Sequence, residues 1–225
     1  MADRYCGGYA MPCVGMVVQV DDCTGEVIPG MTAYAFDGVR AVNWEPIIEE
    51  AEQASWKDSC GRTICRNDEN CDELLGYNVE MEKCVLPFEL VNLLTGKPIV
   101  TDGGEAIGWY DSSLVSCQPR VALILWSKAL GCTPVVDYKV TVFPYVRFTI
   151  PTPNSENDLI EFATLSARAD RGYLAGFGAG PSDIALPLDW ANADPDELGS
   201  IGQFVTNVDP PIAQCGLITI PPPGP

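Results

Sequence analysis

Four glutamates in one short stretch are the side chains best placed for chemistry: Glu45, Glu49, Glu50 and Glu52. Paired carboxylates act as acid and base in glycoside hydrolysis, and their oxygens also bind hard cations such as Ca²⁺. A solvated acidic surface is the ordinary interpretation of such a run. A carboxylate-dependent hydrolase built on Glu45, Glu49 and Glu50 therefore stays an alternative rather than the leading hypothesis.

The second candidate group consists of four of the ten cysteines: Cys60, Cys65, Cys71 and Cys84. Their spacing lacks the close C-x-x-C pair typical of structural zinc sites. Free thiols that pack as small apolar side chains are the simplest interpretation. Disulfides formed after release into an oxidising medium are an alternative, and each would stabilise the fold by about 2–4 kcal/mol. A Cys-rich metal-binding or carbohydrate-binding module also stays open.

The overall charge limits the functions open to this chain. It has no histidine, and 31 Asp and Glu against 13 Lys and Arg give a formal net charge of −18. The side chain most used for acid and base catalysis near pH 7 is therefore missing, and the field of the protein repels polyanions. We expect no catalytic activity, no cofactor and no specific nucleic-acid binding.

The length and composition predict one domain. The 225 residues and 47% hydrophobic content can supply a large core. We place a single β domain at 1–208, with an acidic excursion at about 45–73, and a proline-rich extended arm at 209–225. Residues 1–13 lack the apolar core of a secretory signal, and no apolar run is long enough for a membrane helix, so we expect synthesis in a cytosol.

The apolar pattern has mostly a period of two, which indicates half-buried strands. In residues 77–84, for example, Tyr77, Val79 and Met81 alternate with polar side chains. Strands are predicted at 14–20 (with a hairpin partner at 26–28), 39–44, 77–84, 98–101, 106–110, 121–126, 138–143 and 159–165. One helix is predicted at 86–94, with Pro87 near its start and Gly96 as its stop.

The order of these elements resembles a known family. Residues 76–96 form a strand followed by a helix that begins near Pro87 and ends in Leu-Thr-Gly, which is similar to the major tail proteins of long-tailed actinobacterial phages. The similarity continues through 108–110, 120–128, 145–151 and 159–169, and it covers residues 14–180.

This resemblance implies a structural virion protein, a tail tube subunit with a β-sandwich or barrel, one flanking α-helix and a long β-hairpin. Such subunits are made in the bacterial host cytoplasm and form homohexameric rings that stack helically into the tail. The implied partners are other copies of the chain and other tail proteins, such as the tape measure and the tail terminator. DNA passes through the tube without specific binding. A decoration or head-to-tail joining protein is the alternative within the same biology.

The acidic excess suits such a tube, because an acidic wall does not adhere to DNA phosphates. The first candidates for the lumen are the four glutamates at 45–52. The alternation of Glu45 with Ile47 and Glu49 is compatible with a strand that presents carboxylates to a channel and an apolar side to the shell. Pro46 must then lie at an edge or a bulge. Solubilising the outer surface is the competing interpretation of these carboxylates.

Overall fold

The computed structural model describes residues 8–22, 32–49, 54–57, 63–67, 72–83, 86–111, 118–130, 138–149, 152–156, 160–173, 198–206, 209–213 and 218–219. Its elements in chain order are β1 (Gly8–Gln19), β2 (Thr32–Asp37), β3 (Val39–Glu49), β4 (Ala54–Lys57), β5 (Thr63–Asn67), β6 (Glu73–Lys83), α1 (Phe88–Thr95), β7 (Ile99–Asp102), β8 (Glu105–Trp109), β9 (Val121–Leu130), β10 (Tyr138–Phe148), β11 (Thr152–Glu156), β12 (Ile160–Asp170), β13 (Gly172–Tyr173), β14 (Leu198–Gly199), β15 (Gly202–Thr206) and β16 (Ile218–Thr219).

The predicted mainly-β fold is confirmed. Every pairing between strands is antiparallel in the part of the chain that is described, and the predicted helix is present as α1. Strand β1 pairs with β2; the hairpin partner predicted at 26–28 lies outside the described residues. Of the predicted excursion at about 45–73, the described parts are the end of β3, which pairs with β6, and strands β4 and β5, which pair with each other.

Ten strands form one sheet that folds into two layers. The back sheet contains β16, β2, β1, β9, the first half of β10, and β15. The front sheet contains β3, β6, β12 and, on the far side of β12, the end of β10 followed by β11. Strand β10 passes from one layer to the other at a register shift between Phe143 and Val146.

A second crossing between the layers is the short link from β2 to β3. Only Gly38 separates the two strands, and its φ of 71° lies in the left-handed region that glycine adopts without strain. Lys83 stabilises this corner, because its Nζ donates a 2.6 Å hydrogen bond to the carbonyl oxygen of Asp37. The chain therefore turns from the back sheet into the front sheet within one residue.

The core lies between the layers. It joins inward side chains of both sheets, such as Leu123 and Phe143 from the back and Met81 and Leu165 from the front, to the apolar face of α1. A second apolar cluster, which includes Trp126, lies on the other face of the back sheet. Every residue from Val121 to Trp126 is thus buried, as a continuous apolar run predicts for a strand that is covered on both faces.

The helix α1 ends as its sequence predicts. Gly96 adopts a φ of 72°, and its N–H donates to the carbonyl oxygen of Asn92. The Thr95 hydroxyl donates to the Val91 carbonyl oxygen at 2.6 Å, which satisfies another carbonyl of the last turn. Hairpin β7–β8 then follows directly and contacts the helix.

The C-terminal segment contacts its own sheet in two places. Ile218 and Thr219 pair with β2 as strand β16, and the Tyr138 side chain forms a hydrogen bond with the Asp209 carboxylate. Between them, Ile212 is 81% exposed. The arm predicted at 209–225 is therefore held to the domain at these described positions, and its function stays a prediction.

Candidate functional site

The outer surface of the front sheet is a polar face, which we define by the outward side chains of β3, β6, β12 and the end of β10. On β6, Asn78 and Glu80 are exposed and Glu82 is half-buried, whereas Val79 and Met81 are buried. This is the alternation predicted from the sequence, and it is confirmed. Register aligns these side chains with those of β12 and β3, so the polar positions of the strands form rows across the sheet.

One row crosses the whole front sheet and changes sign along it. Glu45 on β3 lies opposite Asn78, Asn78 lies opposite Arg168 on β12, and Arg168 lies opposite Arg147 on β10. Both arginines and Glu45 are exposed. The next row contains Asn43, Glu80 and Ser166. The polar face is therefore not uniformly acidic: along this row the carboxylate lies on β3 and the guanidinium groups lie on β12 and β10, and Arg40 at the start of β3 forms an ion pair with Glu82 at 3.6 Å.

Ion pairs hold part of this face in place. Asp170 accepts from Arg168 Nε at 2.7 Å and from Arg120 at 3.1 Å, so one carboxylate joins the ends of β9 and β12. The Arg120 guanidinium also lies 4.5 Å from the centre of the Tyr145 ring. Tyr145 in turn donates to the carbonyl oxygen of Asp22 at 2.7 Å. This network fixes the end of the front sheet at which β10 changes layers.

In the described part of the chain, one edge of the front sheet is open along β3, and the other is open along β11 and along the end of β10 beyond Val146, where the pairing of β10 with β9 stops. Within the described residues, β3 forms its strand pairing with β6, and β11 forms its pairing with β12. Pro46 lies on the open strand β3, beside a register shift at Ile47 and Ile48, so the expectation that it lies at an edge or a bulge is confirmed. An open edge presents unpaired N–H and C=O groups to another strand.

The four candidate glutamates fall at and beyond the end of β3. Glu45 and Glu49 are exposed, and Glu49 lies opposite Glu73; Glu50 and Glu52 lie outside the described residues. Ile47 belongs to the same alternating set as Glu45, because side chains two apart in a strand share a face. The expectation that Ile47 supplies the apolar side was wrong; Trp44, which packs edge-on against Phe143 with ring centroids 5.9 Å apart, supplies it.

The cysteine candidates are described at one position. Cys65 lies on β5 opposite Trp56; Cys60, Cys71 and Cys84 lie outside the described residues. Cys13 on β1 is an exposed free thiol. In the part of the chain that the structure describes, no three His, Cys, Asp or Glu side chains form a group that could hold a metal ion.

A second exposed surface is the hairpin β7–β8. Ile107 and Tyr110 are each more than half exposed, and Trp109 is partly exposed. Lys97 is buried beneath this surface, with its Nζ 3.7 Å from the centre of the Trp109 ring and 2.7 Å from a carboxylate oxygen of Asp111. The hairpin therefore projects apolar side chains from a base held by an ion pair.

One titratable group in the described residues has a clearly shifted pKa. Burial raises the pKa of the Tyr138 phenol above its ordinary value, and the nearby charge of Asp209, the Cys13 thiol and the hydrogen bond with Asp209 raise it further. The phenol therefore stays protonated and can donate to the carboxylate throughout the physiological range. This contact anchors the start of the C-terminal segment.

Comparison with known proteins gives no relative. No protein family matches the sequence, and no curated protein matches it either. None of the helical residues described forms a segment long and apolar enough to cross a membrane.

Sequence reasoning missed Arg147 and Arg168, the cations on the β10 side of the polar face. The signal was present in residues 163–170, where small or apolar side chains alternate with Thr164, Ser166, Arg168 and Asp170. That alternation places Arg168 outward. The position of Arg147 beside it depends on the pairing of β10 with β12, which only the fold supplies.

Proposed function

We propose that the chain is a structural subunit of a phage tail tube, which forms hexameric rings by joining front sheets edge to edge. The observation that supports this most is the front sheet itself, with its exposed polar face and two open edges. The resemblance of residues 76–96 to major tail proteins gives the proposal its particular form. The chain then acts without catalysis, and its main partner is another copy of itself.

Strand direction favours this way of joining. Across the front sheet the strands follow the order β3, β6, β12 and then β10 with β11, and each is antiparallel to its neighbour. The strands on its two sides, β3 and β10–β11, therefore run in opposite directions. Copies related by rotation about an axis roughly along the strands bring β3 of one copy beside β10–β11 of the next. The new pair is antiparallel, and the junction continues the hydrogen-bonding pattern of the sheet. Ring closure also removes both open edges.

The dimensions of such a ring suit the passage of DNA. Six front sheets supply 24 strand positions, and strands about 4.8 Å apart with a tilt near 45° give a backbone radius of about 25 Å. The polar face then lines the lumen, and the apolar core faces the shell. Its asparagines, serines and mixed charges offer no continuous cationic track, so duplex DNA is not held by counterion release.

Stacking of rings requires surfaces away from the front sheet. The exposed hairpin β7–β8 and the segment from Asp209 onwards are the candidates. We expect Ile107→Asp to prevent stacking while rings remain, because a carboxylate in an apolar contact is costly to bury. Met11→Asp is the matched control, because Met11 on β1 is 54% exposed and Ile107 is 55% exposed. Equal effects of the two substitutions would remove the hairpin from the stacking surface.

The proposal is tested by imaging the purified full chain in negative stain and measuring its mass by light scattering. We expect sixfold rings or hollow tubes. A monomer at every concentration and salt condition would refute the proposal. Isolated particles that cap or bridge other virion components without stacking would instead support the decoration or joining alternative.

A second test addresses the lumen. If Glu45, Glu49, Glu50 and Glu52 line it, exchanging all four for Lys should leave tube assembly possible at raised protein concentration but slow or block DNA ejection at low salt. Normal ejection from such particles, with these residues mapped outside the tube, would refute this assignment.

A further inference from the structure

The two open edges of the front sheet differ in charge. On β3, the edge side chains Glu45 and Glu49 are exposed carboxylates. On the opposite side, Arg147 of β10 is exposed one residue beyond Val146, where β10 ends its pairing with β9, and Arg168 of β12 lies directly beside it. The second half of β3 is thus acidic at its edge, since Arg40 at the start of β3 is paired with Glu82, whereas the opposite side of the face ends in arginine.

The arginine pair is unfavourable within a single copy. Like charges directly opposite each other in an antiparallel pair repel. Asp170 offsets this repulsion at Arg168, because one of its carboxylate oxygens lies 2.7 Å from the Arg168 Nε. No ion pair joins Arg147 to a carboxylate among the residues described. A carboxylate from another copy beside this exposed guanidinium would therefore be stabilising.

We propose that this anion is the acidic β3 edge of a second copy, so that Arg147 forms an ion pair with Glu45 or Glu49 across the junction between subunits. This inference rests on the proposed function, since it specifies how the front sheets join. Arg168 adds positive potential from the adjacent strand. Opposite charges at the two edges make the junction head to tail, because acid-to-acid and base-to-base contacts repel.

The same charges specify register. The pairing of β3 with β6 fixes which side chains of β3 point outward, so the junction between copies shifts in steps of two residues if outward side chains are to stay beside one another. A slip of two places Ile47 beside Arg147, which leaves the guanidinium without its carboxylate. The charge pattern therefore favours the registers in which an acid faces Arg147.

The test uses complementary charge reversals in the full chain. One variant carries Arg147→Glu, and the other carries Glu45→Arg together with Glu49→Arg. Each variant by itself places like charges at every junction. We expect either variant to need a concentration roughly tenfold higher for half-assembly at low salt, since each junction loses an attraction and gains a repulsion. An equimolar mixture of the two variants should assemble at nearly the wild-type concentration, because an alternating ring pairs opposite charges at every junction.

Two controls separate charge pairing from folding defects. Lys128→Glu, at an exposed position of β9 in the back sheet, has the same change of charge as Arg147→Glu, lies away from both edges of the front sheet and should leave assembly unchanged. Raising the salt to 1 M shortens the screening length to about 3 Å and should reduce the defect of each single-edge variant. Thermal melts of the monomers confirm that all variants fold.

The outcomes distinguish this inference from the function on which it rests. If wild-type chains form rings but the two variants assemble as well as wild type, or if their mixture assembles no better than either alone, the ion pair is refuted and the tube proposal stands. If wild-type chains never associate, both are refuted.

Discussion

Gly76 on β6 is the glycine at which adding a single methyl group should destabilise the fold most. A Cβ added there would lie 2.3 Å from the carbonyl oxygen of Ala169 and 3.3 Å from its carbonyl carbon. These are backbone atoms of the neighbouring strand β12, so they cannot move aside as a flexible side chain could. The close approach occurs beside the register shift at Ile47 and Ile48, as expected for a glycine at a bulge.

The expected cost of Gly76→Ala follows from this geometry. Ordinary contacts to a Cβ lie at 3.4–4 Å, so β6 and β12 must separate by about 1 Å at the point where the polar face is built. Overpacking of this kind costs about 1–3 kcal/mol. With a urea m-value of about 2–3 kcal/mol/M, the unfolding midpoint should fall by roughly 0.5–1 M.

The matched control is Gly108→Ala on β8. No atom lies within 4 Å of a Cβ built at that position. The substitution should leave the unfolding midpoint unchanged or raise it slightly, since it restricts the unfolded chain. Urea unfolding of both variants, followed by fluorescence and by circular dichroism, makes the comparison. Equal midpoints for the two variants would show that the β6–β12 contact is not as close as the structure has it.

The remaining predictions concern three other parts of the molecule. Tyr138→Phe should reduce the loss of stability above pH 10. The pKa of Tyr138 is raised in the folded protein, so the phenol contributes stability below its ordinary pKa, and this contribution is lost as the pH rises through the folded-state pKa. Urea unfolding midpoints of the variant and the wild type at pH 9 and pH 11 measure the difference. Lys97→Met should lower stability by about 1–2 kcal/mol through loss of the Trp109 and Asp111 contacts, and a thermal melt without a shift would contradict this. Non-reducing peptide mapping of assembled particles tests the disulfides, and four free thiols would end that hypothesis for Cys60, Cys65, Cys71 and Cys84.

Local patterns of sequence were enough to locate most strands and the helix. The alternation around Val79 and Met81 separates core from solvent without any knowledge of neighbours, because successive side chains of a strand point to opposite faces. The end of α1 at Gly96 was equally local, since a left-handed residue after a helix favours glycine. Strand β11 has a proline and few apolar side chains, so its pairing with β12 gave little sequence signal.

The candidate site was predicted less completely. Glu45 and Glu49 could be selected from sequence because they cluster along the chain. Their relation to Arg147 and Arg168 could not, since these residues lie about a hundred positions further on and reach the same row only through the pairings of β3 with β6, β6 with β12, and β12 with β10.

The sequence by itself determined the β-rich class, the acidic excess and the alternation that makes one sheet face polar, because each depends on composition or on neighbours one to four residues apart. Tertiary structure alone decided that the open edge at β3 carries Glu45 and Glu49 and that Arg147 lies at the opposite side of the front sheet. That property depends on which strands pair, and strand pairing is set by long-range packing and by two layer crossings, at Gly38 and after Phe143, that no local pattern encodes.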